Sequence, residues 1–226
     1  MIVDVIIPVY NEEESIPKVI AEIPRTLVRN IIVCNNNSTD KTKEVSQNAG
    51  AIVLDENRQG YGSACLKGLS YISKLEDKPD IVVFLDGDYS DFPEQMTELI
   101  APISNGYDLV IGSRALGDLE KGSMQPQQIF GNWLATSLIK LIYKYEFTDL
   151  GPFRAVRYDK LLEIDMQDQD FGWTVEMQVK AAKMKLKCKE VPVMYRKRIG
   201  VSKVSGTIKG TILAGHKILW TIFKLI

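Results

Sequence analysis

Asp86-Gly87-Asp88 sets two carboxylates two residues apart, directly after the apolar run Ile81–Leu85. At the end of a buried strand, such a pair can aim at one hard cation. Mg²⁺ or Mn²⁺ held by one or two carboxylates completes its shell with water and phosphate oxygens. The intervening glycine lets backbone approach a ligand closely. An acidic turn before Pro93 and a helix with Glu94 in its first turn would use the same residues. A calcium loop is excluded: counted from Asp86, position 6 is Asp91 instead of Gly and position 12 is Thr97 instead of Glu. Two more polar clusters follow apolar runs, Pro8-Val9-Tyr10-Asn11-Glu12-Glu13-Glu14 and Asn35-Asn36-Asn37-Ser38-Thr39-Asp40.

The elements that must position these clusters are short apolar runs alternating with amphipathic stretches. Strands are expected at Val3–Pro8, Ile31–Cys34, Ala51–Leu54, Ile81–Leu85, Leu109–Gly112 and Lys189–Tyr195. Between the first two, Ile16, Val19, Ile20 and Ile23 form a helical stripe, with Ser15 as cap and Pro17 in the first turn. Ser38, Thr39 and Asp40 supply cap chemistry for a helix through Val45, and Gly60 and Gly62 a tight turn before one beginning near Ser63. That helix N-terminus could face a phosphate, with Arg58 or Lys67 nearby. Ala115–Gln128 reads as a mobile loop. Alternation of this kind predicts an α/β fold, a mostly parallel sheet with helices on both faces. Ligands bind such sheets at the carboxyl ends of the strands, where all three polar clusters fall.

Composition narrows the chemistry. The chain has 226 residues, 45% hydrophobic and 25% charged, which fits an ordinary globular protein with its own core. One histidine, His216, and three cysteines without a CxxC spacing argue against a zinc cluster, a disulfide framework and histidine-assisted nucleophilic catalysis. The N-terminus reads as a strand, not a signal peptide, so a reducing cytoplasmic setting is expected. No GxxxxGK[ST] and no GxGxxG occurs, and no nucleic-acid module is apparent. Charge is uneven. From Lys180 onward 12 basic residues meet one acid, Glu190, while residues 1–179 carry 16 basic and 28 acidic residues, a balance of -12. A basic end on an acidic body suits a polyanionic partner: substrate phosphates, anionic lipid headgroups or nucleic acid, the last without a module signature to support it.

Six motifs in order then carry a resemblance: Ile6-Ile7-Pro8-Val9-Tyr10-Asn11-Glu12, Asn36-Asn37-Ser38-Thr39-Asp40-Lys41-Thr42, Gly60-Tyr61-Gly62-Ser63-Ala64, Asp86-Gly87-Asp88, Gly112-Ser113-Arg114 and Thr148-Asp149-Leu150-Gly151-Pro152-Phe153-Arg154. Their order and spacing resemble family 2 glycosyltransferases of the GT-A fold, in the dolichol-phosphate mannose synthase-like branch. Arg196-Lys197-Arg198-Ile199-Gly200-Val201-Ser202-Lys203 is also similar to that branch. The resemblance implies a nucleoside-diphosphate-sugar donor met by Pro8, Tyr10, Glu12, Val33, Asn35, Asp86, Gly87 and Asp88. It implies Mg²⁺ or Mn²⁺ at Asp86 and Asp88, with Ser90 as a further ligand. Phosphates would meet Arg114, Arg198, Ser202 and Lys203. Asn35 stands where the family has an aspartate that reads the base. The QxxRW motif of processive polysaccharide synthases is absent, which argues against polymerisation.

The implied reaction is one in-line displacement with inversion, moving a sugar to a polyprenyl or dolichyl phosphate or a similar acceptor. Asp88 and Arg114 would serve catalysis. A hydroxyl acceptor would need a carboxylate base, for which Asp170 and Glu176 are the candidates. Residues 1–206 would form the catalytic domain and 207–226 an amphipathic helix. In that helix Lys217 and Lys224 lie within about 20° of each other on the helical wheel, opposite a wide apolar surface. Such a helix suits a membrane interface, lysines toward headgroups, at the cytoplasmic face; core packing and homodimer contact are the other uses of such a surface. Competing functions are an inactive membrane-associated scaffold and a sugar-phosphate nucleotidyltransferase, though the latter needs a basic loop where Asn11-Glu12-Glu13-Glu14 stands.

Overall fold

The computed structural model describes residues 1–202 and 208–226. The strands are β1 (Val3–Val9), β2 (Asn30–Asn35), β3 (Ile52–Asp55), β4 (Ile81–Phe84), β5 (Leu109–Ser113), β6 (Arg154–Arg157) and β7 (Cys188–Pro192). Among the described residues they form one sheet in the order β3-β2-β1-β4-β6-β5-β7. Neighbours run parallel except around β6, which is antiparallel to β4 and β5. The mostly parallel sheet expected from the sequence is present.

A side-chain period of two sorts each strand between two cores. Ile6, Ile32, Val82, Phe84 and Ile111 pack on one face. Val5, Ile7, Val33, Val83 and Val110 pack on the other. The second face is covered by α1 (Ile16–Glu22) and α4 (Met96–Ser104), whose Ile16, Val19, Ile20, Met96 and Leu99 are buried in it. α2 (Thr42–Asn48) lies beside them. The first face is covered by α3 (Tyr61–Ile72), α5 (Pro126–Tyr143), α6 (Tyr158–Ile164), α7 (Trp173–Lys183) and α8 (Ile208–Lys224).

The structure departs from the sequence reading in several places. Ser15 stands at the N-cap of α1 but its hydroxyl donates to Glu12, and the last strand ends at Pro192, short of the expected Tyr195. β6 was not expected, because Arg154-Ala155-Val156-Arg157 has too short an apolar run to signal a strand. Arg154 is nevertheless fully buried; its guanidinium donates to the carbonyls of Leu150, Gly151 and Thr174. Burial lowers its pKa to about 10. The expected loop at Ala115–Gln128 ends early: α5 starts at Pro126, and Gln125 and Gln128 form a reciprocal capping box. α3 begins at Tyr61, two residues before the expected start.

α8 divides its faces. Thr221 and Ile222 are buried, and the Ile222 carbonyl accepts from the Tyr143 hydroxyl. Ile212, Leu213, Trp220 and Phe223 are 51–65% exposed. No helix among the described residues is long and apolar enough to cross a membrane.

Candidate active site

β2 accompanies β1 as far as Val9, but β4 pairs with it only to Phe84, opposite Ile6. β1 therefore projects beyond β4 at the carboxyl edge, where the chain's crossovers turn to opposite sides of the sheet. A crevice forms at such a switch point. Here it is a cavity of about 330 Å³. Its walls are Pro8 and Val9 at the end of β1, Tyr10 and Glu12 after it, Asn36 after β2, Gln59, Gly60, Tyr61 and Ala64 at the start of α3, and Phe171. Asp86, Gly87 and Asp88 line it after β4, and Arg198 and Ser202 complete it.

The acidic turn is largely buried, and among the described residues the guanidinium in contact with it is that of Arg198, with Arg114 acting at longer range. Asp88 and Asp91 are 6% and 2% exposed. The Tyr61 hydroxyl donates to Asp86 Oδ1 at 3.0 Å. Burial, then the neighbouring Asp88 carboxylate, pushes Asp86 up to about 7. Burial and Asp86 raise Asp91 well above the usual carboxylate range. Asp91 Oδ1 is buried with no hydrogen-bond partner among the described residues. Three desolvated acids with an orphaned oxygen match a place where a divalent cation would offset charge. Among the described residues no three His, Cys, Asp or Glu side chains could hold a metal unaided. A cation here would complete its shell from phosphate oxygens and water, the habit of Mg²⁺. Ser90 supports Asp88: its backbone N–H donates to Asp88 Oδ1 at 2.9 Å, and its hydroxyl donates to the same oxygen.

The segment after β7 lies across this turn. Arg196 N donates to the Ser90 carbonyl at 3.0 Å and Ile199 N to the Asp88 carbonyl at 2.9 Å. The Arg196 guanidinium stacks 3.4 Å from the Tyr89 ring centroid and pairs with Glu22. Arg198 is thereby fixed over the acids, 3.0 Å from Asp88 Oδ2 and 3.1 Å from Glu12 Oε1.

Other expected site residues sit elsewhere. Val33 is fully buried in the core on the α1 side, because its place in β2 points it away from the cavity. Asn35 does not line the cavity; its Nδ2 donates to Asp55 Oδ1 at 2.9 Å. Arg114 is committed to Asp149, its Nε and Nη2 reaching the two carboxylate oxygens at 2.8 and 2.7 Å. Burial works against that guanidinium's charge and Asp149 more than offsets it, so its pKa is raised. Glu176 is buried and accepts from the backbone N–H of Gln167 and Asp168, with Lys180 2.8 Å away. Asp170 and Glu176 line a second cavity, of about 160 Å³, beside α8. The N-terminus of α3 offers no free amides at Gly62 and Ser63, which donate to the carbonyls of Asp170 and Gln169. Lys217 and Lys224 share one face of α8 with Thr221, as the helical spacing predicts, but that face lines the second cavity, where Lys217 pairs with Asp168 at 2.9 Å. Lys203 lies outside the described residues.

Comparison with known proteins decides the family. The profile of glycosyl transferase family 2 matches residues 4–164. The chain belongs to glycosyltransferase family 2. An uncharacterised glycosyltransferase of Mycobacterium tuberculosis is 35% identical over 94% of each chain. A dolichyl-phosphate hexose transferase of Haloferax volcanii is 31% identical over 88% of this chain and 85% of its own. Among solved structures, glucosyl-3-phosphoglycerate synthase from M. tuberculosis, in complex with Mn²⁺, UDP and phosphoglyceric acid, superposes with a TM-score of 0.77. It is 21% identical, over 99% of this chain and 78% of its own, and shows the shared GT-A fold. This glycosyltransferase also brings residues to its cavity that the sequence reading did not single out as ligands. Asn36, Tyr61 and Phe171 line it, and Asp91 backs the acidic turn. Tyr61 lies within the Gly60–Ala64 motif and Asn36 within Asn36–Thr42; Phe171 has no local signal, because its loop comes from more than 80 residues beyond Asp88.

Proposed function

We propose that this glycosyltransferase moves a hexose from a nucleoside diphosphate sugar to a polyprenyl phosphate or similar anionic lipid acceptor. The reaction is one displacement with inversion and uses Mg²⁺ or Mn²⁺. The observation that carries the reading is the pair Asp86 and Asp88 on the wall of the β1/β4 cavity, backed by Asp91, whose Oδ1 has no hydrogen-bond partner among the described residues.

Asp88, with Asp86 beside it, would hold the cation, and Ser90 orients Asp88 from behind. When bound, the metal supplies positive charge against the departing diphosphate. Arg198 adds a fixed cation in the same cavity, preorganised by Asp88 and Glu12, to stabilise charge on phosphate oxygens. Tyr10, Tyr61 and Phe171 give apolar walls for the flat base and the sugar. A phosphate acceptor is already anionic near neutral pH and needs no general base. That agrees with the commitment of Glu176 to loop amides.

The lipid acceptor is supported by surface chemistry as well as by the Haloferax relative's name. Phe130 and Trp133 of α5 and Trp220 and Phe223 of α8 are all at least 52% exposed, and the basic residues of the chain gather in the C-terminal part that contains α8. Aromatic and lysine side chains on helices suit a membrane interface. The reading places the protein peripherally, at a cytoplasmic membrane face.

A thermal-shift panel tests the donor site: UDP-glucose, UDP-galactose, UDP-GlcNAc, GDP-mannose and ATP, each with and without Mn²⁺. One nucleotide sugar should stabilise only with Mn²⁺, by about 2.7 kcal/mol at a hundredfold excess over Kd. Equal silence across the panel would overturn the reading.

A further inference from the structure

We propose that Lys217, on α8 and outside the donor cavity, is a positioning residue for that cavity. It clamps the loop of residues 167–171 against the start of α3. The inference rests on the β1/β4 cavity being the donor site.

Two observations make the loop part of the cavity. Its carbonyls satisfy the first turn of α3: Gly62 N donates to Asp170 O at 3.2 Å, and Ser63 N and Oγ donate to Gln169 O at 2.9 and 3.1 Å. The contact is tight enough that a Cβ on Gly62 would stand 2.0 Å from the Asp168 carbonyl oxygen. Phe171, next along the loop, is itself a wall of the cavity, together with Gly60 and Tyr61. Any displacement of this loop therefore moves both the Phe171 wall and the turn carrying Tyr61, whose hydroxyl holds Asp86.

The loop has little apolar anchorage of its own and is held by charge. From α7, Glu176 accepts the Gln167 and Asp168 amides. Asp168 Oδ1 gathers the Asp170 and Gly172 amides at 2.8 and 3.0 Å, which rigidifies the bend. The other Asp168 oxygen faces Lys217 Nζ at 2.9 Å, and Asp170 Oδ2 lies 3.7 Å from the same nitrogen. Asp168 is 8% exposed and Lys217 32%, so the pair is partly desolvated, beyond the regime where an ion pair is worth nothing. α8 is also held at close range here: a Cβ on Gly172 would stand 2.5 Å from both Asp168 Oδ2 and Thr221 Oγ1. Without Lys217, Arg58 and Lys224 still line the second cavity, but Asp168 and Asp170 lose the cation that ties the loop to α8, and the loop's hold on α3 loosens.

The test is titration of UDP and of GDP, each with MnCl₂, into the full chain and its K217Q and K217R variants, with amide hydrogen exchange read at Gly62 and Ser63. For the nucleotide that the unsubstituted chain binds, Lys217→Gln should weaken binding about tenfold and Lys217→Arg should return it to within about threefold. Exchange at Gly62 and Ser63 should quicken in K217Q and slow again in K217R. Unchanged affinity in K217Q, even with a lowered melting temperature, assigns Lys217 to stability alone and overturns the proposal. A loss that K217R fails to recover overturns it too. If the unsubstituted chain binds neither nucleotide, the donor-site reading falls and this assignment falls with it.

Discussion

Two acidic sites stand at the carboxyl edge of the same sheet, and they end differently. Asp149, 1% exposed, meets Arg114 through both oxygens, and its charge is answered within the chain. Asp88 and Asp91 are nearly as deeply placed and Asp86 is partly buried, yet among the described residues the guanidinium in direct contact with this cluster is that of Arg198, which also serves Glu12, while Arg114 acts on Asp86 and Asp91 only at longer range. One carboxylate oxygen there has no partner among the described residues. Both sites combine buried Asp with Arg near strand ends, so residue type does not separate structure from function. Charge balance does. The closed pair fixes β5 to the turn before β6; the open cluster keeps a charge deficit that a cation and a phosphate together can fill.

Asp88→Asn probes the open site and should have the largest effect. Removing the carboxylate should cut sugar transfer about a thousandfold, and Mn²⁺ should no longer raise the melting temperature. The fold should persist, because the substitution removes repulsion in an acid-rich turn. Near-full activity in this variant would sink the metal assignment. Arg114→Ala probes the closed site and should act on stability. Breaking a buried pair leaves Asp149 uncompensated and should cost about 3 kcal/mol in urea unfolding. If instead Arg114→Ala stays as stable as the unsubstituted chain and loses activity selectively, the two sites are not different in kind, and Arg114 belongs with the phosphate-binding residues.

The same contrast explains what could be read in advance. The sheet and the edge that carries the site were legible because alternating β-branched runs end in polar clusters at Pro8–Glu14, Asn35–Asp40 and Asp86–Asp91. Local patterning encodes those directly. β6 was not legible, because its strand character comes from filling a gap between β4 and β5, not from its own four residues. Arg114 and Glu176 show the limit for site residues. Nothing near them in sequence reveals that Asp149 lies against one and the 167–168 amides against the other. Lys217 shows it again: helical periodicity rightly groups it with Lys224, but that their face meets Asp168 and Asp170 is not written near either lysine. Long-range charge pairing decides which polar residues are left over for chemistry, and a single sequence does not display it.

Ser90→Ala sharpens the comparison with the smallest change. Asp149 is held by an arginine and by nothing it must release, whereas Asp88 has to stay available to a cation while keeping one orientation. The Ser90 hydroxyl and amide, both on Asp88 Oδ1, leave Oδ2 to face Arg198 and the cavity. Deleting the hydroxyl removes one of two restraints and keeps every charge. The expected result is about a tenfold rise in the Mn²⁺ concentration needed for half-maximal stabilisation by the nucleotide sugar, with the sugar's own affinity at saturating Mn²⁺ little changed. A loss as large as that of Asp88→Asn would mean that Ser90 itself touches the metal. No loss would mean that the backbone amide alone orients Asp88, and that the open site differs from the closed one in charge but not in how its carboxylate is held.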